Sequence, residues 1–65
     1  MKKYYEVVGK DDNDDWETIQ NSIKTLKEAI KIAKKQDRKV YKTIDINLII
    51  DDDLTETYDE NGKIR

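Results

Sequence analysis

Apolar and polar residues alternate along much of this chain, and where the alternation stops a helical spacing takes over. From Lys3 to Gly9 the period is two: Tyr5 and Val7 share one face while Tyr4, Glu6 and Val8 take the other, and tyrosine and valine both favour strands. Gly9 is expected to end this strand. The polar run Lys10 to Asp15 reads as a hairpin connection, and Trp16 to Gln20 as a second strand with Trp16 and Thr18 opposite Ile19.

Thr25, Leu26, Lys27 and Glu28 match a helix capping box, in which the threonine oxygen accepts from a backbone N–H three residues on. The spacing predicts a helix from about Leu26 to near Asp37. Its core stripe is Leu26, Ala29, Ile30 and Ala33, the pattern of an element lying on a sheet.

From Val40 the period returns to two. Val40, Ile44, Ile46, Leu48 and Ile50 share a face interrupted by Lys42, and Tyr41, Thr43, Asp45 and Asn47 take the other. Asp51 to Asp53 predicts a turn, Leu54 to Asp59 a strand, and Asn61-Gly62 a turn folding Lys63 to Arg65 back as a short last strand. The expected architecture is α+β: a small antiparallel sheet of four to five strands packed on one helix, in the order β-β-α-β-β with an optional fifth strand, as a single domain over residues 1–65.

Size sharpens this picture. A chain of 65 residues builds one thin core, and with no cysteine and no histidine it has neither disulfides nor the usual zinc ligands to reinforce it. Lys2 and Lys3 run into Tyr4, Tyr5 and Glu6 rather than into an apolar stretch, so an export signal is not expected, and the longest unbroken apolar run, Leu48 to Ile50, is far too short for a membrane span. The expectation is a soluble, cytoplasmic protein with no membrane partner.

The missing residue types also bear on chemistry. Without His or Cys, and with Ser22 as its one serine, the chain lacks the groups that titrate near neutrality or serve as activated nucleophiles. Its carboxylates fall in runs expected to be solvated, and Ser22 is placed to shape the approach to the helix. An enzyme is not expected, nor is a cofactor. Asp11, Asn13 and Asp15 match the first three ligand positions of a calcium loop, but Trp16 and Ser22 stand where that loop requires Gly and Glu, so no metal site is assigned.

Charge gives the more specific signal. Residues 1–20 carry three basic and six acidic groups, residues 21–43 eight and two, and residues 44–65 two and seven, so a net charge of −2 conceals segments of −3, +6 and −5. On a helical wheel Lys27, Lys31, Lys34, Lys35 and Arg38 fall within about 100° of one another, beside the apolar stripe. Lysine also serves simply as a helix former whose stem covers the edge of an apolar face. As a functional surface, the stripe would meet an anion.

A nucleic acid calls for aromatic or amide groups among the basic ones, yet this helix offers no aromatic and only Gln36 as an amide, with acidic segments on either side. A protein partner is therefore preferred. By alternation Tyr41 faces outward as the best aromatic contact, and Ile49 on the same side suggests the contact of a partner or of a homodimer. The composition, rich in Lys, Asp, Ile and Asn, resembles that of small accessory proteins of AT-rich bacteria, phages or plasmids. The expected function is a non-enzymatic binding or regulatory protein using Lys27, Lys31, Lys34, Lys35, Arg38 and Tyr41. Nucleic-acid binding by the basic helix face and a homo-oligomeric structural module are the alternatives.

Overall fold

The computed structural model describes residues 2–65 and contains five elements: β1 (Lys3–Lys10), β2 (Trp16–Ile23), α1 (Leu26–Lys34), β3 (Thr43–Ile50) and β4 (Asp53–Asp59). The strands form one antiparallel sheet in the order β2-β1-β3-β4, so the two hairpins meet along β1 and β3. The fold is α+β, with the helix on one face of the sheet. Residues 63–65 add an isolated bridge between Tyr58 and Ile64 rather than a fifth strand.

The period-two pattern determines which face the helix covers. Tyr5 and Val7 from β1 and Ile44, Ile46 and Leu48 from β3 are buried on one side, where Ile23, Ala29 and Ala33 complete the core. Ala29 and Ala33 are fully buried, and their small side chains let the helix backbone lie close to the strands. Leu26 and Ile30 flank them as the helical spacing requires. Thr25, in an extended conformation, caps the helix by accepting from Glu28 N–H at 3.2 Å.

Several boundaries differ from expectation, each for a local reason. The helix stops at Lys34, short of Asp37. Its last turn tightens as Lys35 and Gln36 N–H donate to Ile32 and Ala33 carbonyls, and the Gln36 amide donates to Ile32 O at 3.0 Å. Asp37 then builds a turn of its own, accepting Lys39 N–H on its side chain and Val40 and Tyr41 N–H on its carbonyl. Val40 is consequently exposed in that turn, and β3 begins at Thr43 instead of Val40.

At the other end of the sheet, β1 runs through Gly9 to Lys10. A Cβ at Gly9 would stand 2.4 Å from Tyr41 Cδ1, so the glycine is where an aromatic ring lies directly on the strand. β2 extends past Gln20 to Ile23 by way of two register shifts against β1. Ser22 takes up the second shift with φ +57°, the bend that carries Ile23 into the core and the chain toward the helix.

The turns are built from aspartate. Asp51 and Asp52, with φ +50° and +69°, form the two-residue loop of the β3-β4 hairpin, and Asp53 already belongs to β4. Asp11 and Asp59 each organise a five-residue loop of the same design. The Asp11 carboxylate accepts from Asn13 and Asp15 N–H, and the Asp59 carboxylate from Asn61 and Lys63 N–H, while the fourth residue, Asp14 or Gly62, adopts positive φ.

Candidate functional site

Two surfaces remain once the core is formed: the outward side of α1 and the sheet face that no helix covers. On α1, Ile32 packs against the core beside the stripe, so the residues left facing outward are Lys27, Glu28, Lys31 and Lys34, and Lys35 follows as the cap. Lys27, Lys31, Lys34 and Lys35 are exposed and make no ion pair among the described residues. At 1.5 Å per residue, the span from Lys27 to Lys34 is roughly 10 Å.

Arg38 and Tyr41 do not join this stripe. With the helix ended at Lys34, Arg38 lies in the following turn and pairs with Glu60 at 2.6 Å. Tyr41 lies in the connection before β3, half-buried over Gly9, and its hydroxyl donates to Glu17 at 2.5 Å. The hydrogen bond to the Glu17 carboxylate holds the Tyr41 hydroxyl above its ordinary pKa. The strand periodicity that placed Tyr41 on the outer face does not apply to a residue outside the strand.

On the uncovered face, Val8, Trp16, Asp45, Asn47 and Thr57 line an open groove of about 270 Å³. Register brings them together from four strands: Val8 stands between Thr18 and Asp45, and Asn47 between Glu6 and Thr57. A hydrogen-bonded row crosses the sheet, with Thr57 Oγ1 donating to Asn47 Oδ1 at 2.9 Å and Asn47 Nδ2 donating to Glu6 Oε1 at 3.0 Å. Beside it Asp45, only 9% exposed, accepts from both Nε and a terminal guanidinium nitrogen of Arg65 on one oxygen, each at 2.7 Å. Trp16 is half-exposed, with Lys10 Nζ 5.8 Å from its ring centroid.

Ile49 is 8% exposed and lies outside the core cluster, so it sits on this face but is covered by its neighbours. Exposed apolar surface comes instead from Trp16, Val40, Leu54 and Ile64. Periodicity marks Asp45 and Asn47 only as outward positions of one strand, and the groove depends on its register with the other three. Their alternation with Ile44, Ile46 and Leu48 was the available signal.

The acidic loops are occupied by their own backbone. Asp11 spends its Oδ1 on two N–H groups, and among the described residues no group of three or more acidic side chains is arranged to hold a metal ion. Asp14 faces Lys42 and Lys10, and its hydrogen bond to Lys42 holds its carboxyl below the usual range. Among the described residues, no helix is long and apolar enough to cross a membrane. Comparison with known proteins finds no matching family model, no matching curated protein and no matching solved structure.

Proposed function

We propose that this is a non-enzymatic binding protein that engages an acidic surface of another protein through the outward side of α1. The observation that carries the reading is that Lys27, Lys31, Lys34 and Lys35 stand together, exposed, on one side and the end of a nine-residue helix and form no ion pair among the described residues; Lys2, Lys3, Lys24, Lys39 and Lys63 are also exposed and unpaired but lie elsewhere. Opposite charge on a partner would steer encounter and fix orientation there. The tyrosine contribution is narrower than the periodicity suggested, since Tyr41 and Tyr58 donate their hydroxyls to Glu17 and Glu56.

Protein is favoured over nucleic acid because the lysine face lacks aromatic groups on which bases could stack. The test is to recover partners from the native host with the tagged chain, purify the principal one, and titrate it against the wild type and the variant K27E/K31E/K34E. Binding is expected to weaken at least about tenfold, as like charges replace opposite ones across the interface. Undiminished binding by the folded variant overturns the reading. So does a mobility shift of duplex DNA or RNA at low salt that the same substitutions abolish.

A further inference from the structure

The groove on the uncovered face has one carboxylate in its lining, Asp45, and a second, Glu6, beside it. Glu6 lies at its edge, two residues from Val8 on β1 and accepting from the lining Asn47, and both carboxylates are at least half-buried. Arg65 satisfies one oxygen of Asp45, but Glu6 makes no ion pair among the described residues, its Oε1 holding only the Asn47 amide. Lys10 pairs with Asp14 at 3.7 Å and holds its Nζ 5.8 Å from the Trp16 ring centroid, so an incoming cation would share or displace it at the indole. The remaining walls are Val8 and the half-exposed Trp16, which offer an apolar flank and an aromatic ring.

We propose that this groove seats an arginine side chain from a partner protein, with Arg65 competing for the same carboxylate in the isolated chain. A planar guanidinium matches every part of the site. Its N–H fork suits the acceptors Glu6 and Asp45, its flat face stacks on an indole, and its hydrocarbon stem covers Val8. Arg65 already demonstrates the pairing, since two of its nitrogens converge on Asp45. Arg65 does not line the groove, and beyond the loop closed by the Asp59–Lys63 hydrogen bonds its tail is held to β4 by Arg65 N–H on Thr57 O and the bridge at Ile64. It is a displaceable occupant. This site lies on the face opposite α1, so it stands or falls independently of the lysine surface.

Trp16 is the chain's one tryptophan, so its fluorescence reports directly on the groove. The probe is an acetylated, amidated Gly-Arg-Gly peptide titrated at low salt, with the citrulline peptide as the uncharged isostere. Saturable binding is expected, with a dissociation constant on the order of millimolar for a single side chain, and none with citrulline. R65A should tighten the arginine peptide at least about threefold by freeing Asp45, and D45N and E6Q should each weaken it at least about threefold. The opposite signs at the two ends of one salt bridge set this apart from tail anchoring, which would move R65A and D45N in the same direction. If they do move together, if citrulline binds equally, or if neither wild type nor R65A saturates, the proposal is wrong. Circular dichroism confirms the fold of each variant, and E6Q carries the test of the carboxylate should D45N unfold.

Discussion

At Gly62 one added methyl group should cost stability, and the cost can be separated into two physical parts. Its φ of +85° lies in the left-handed region, and a Cβ built there stands 2.6 Å from Ile30 Cδ1 on the helix. A left-handed L-residue costs about 1–2 kcal/mol, of which the reduced freedom of the unfolded chain returns about 0.4–1 kcal/mol. Pressing a methyl group into a packed contact costs about 1–3 kcal/mol, with the lower end applying here because the obstacle is the tip of a flexible side chain. G62A should therefore lose roughly 2 kcal/mol, a large share of the few kcal/mol available to a chain this small. The assay is urea unfolding followed by circular dichroism, reading the midpoint at constant slope. I30V removes the obstructing Cδ1 and alone costs about 0.5–1.5 kcal/mol. In the double variant G62A/I30V the loss should be smaller than the sum of the single losses by about 1 kcal/mol, the relieved contact. A G62A midpoint within error of the wild type, or strict additivity in the cycle, would refute this account of the loop.

The β3-β4 turn predicts the reverse effect: Asp51 and Asp52 both hold positive φ, so D51N/D52G, which supplies the residues this two-residue turn favours, should stabilise by about 1 kcal/mol and raise Tm by roughly 4–8 °C. An unchanged or lower Tm would show that the aspartates are not strained there. Stability should also have an acid limb. The backbone N–H groups of Lys63 and Asn61 hold the Asp59 carboxyl below its ordinary value, and Lys42 does the same for Asp14, so the unfolded chain binds these protons more readily than the folded one. That contribution is complete above the unfolded aspartate range and is lost as pH falls below about 4. At the alkaline end, burial and Glu56 raise Tyr58, and the hydrogen bond to Glu17 raises Tyr41, so the stability they contribute is lost as pH rises beyond about 10. Urea midpoints should be level between these limits and fall outside both, and D59N should soften the acid fall; a midpoint that climbs on acidification below pH 4 would contradict the assignment.

What sequence could reveal divides along the range of the interactions involved. The faces of the strands, the Thr25 cap and the Leu26-Ala29-Ile30-Ala33 stripe depend on neighbours within a few residues, and each appears in the structure as the spacing implied. The same local logic made Lys27, Lys31, Lys34 and Lys35 legible as one exposed stripe. It failed for Arg38 and Tyr41, because periodicity extends an element until something outside it intervenes. Here Asp37 folded the chain into a turn, and the bare backbone at Gly9 took the Tyr41 ring. The groove lay beyond reach for a stronger version of the same reason. Trp16 meets Val8 and Asp45 only if the Asp11 loop sets the β1-β2 register, the helix crossover sets β3 beside β1, and the Asp51-Asp52 turn sets β4. Shifting any one of these by a single residue would turn Trp16, Asn47 or Thr57 away from the face. The aspartate-rich turns, which read as solubilising punctuation, thus position the groove: their carboxylates and left-handed backbones fix the registers that assemble it.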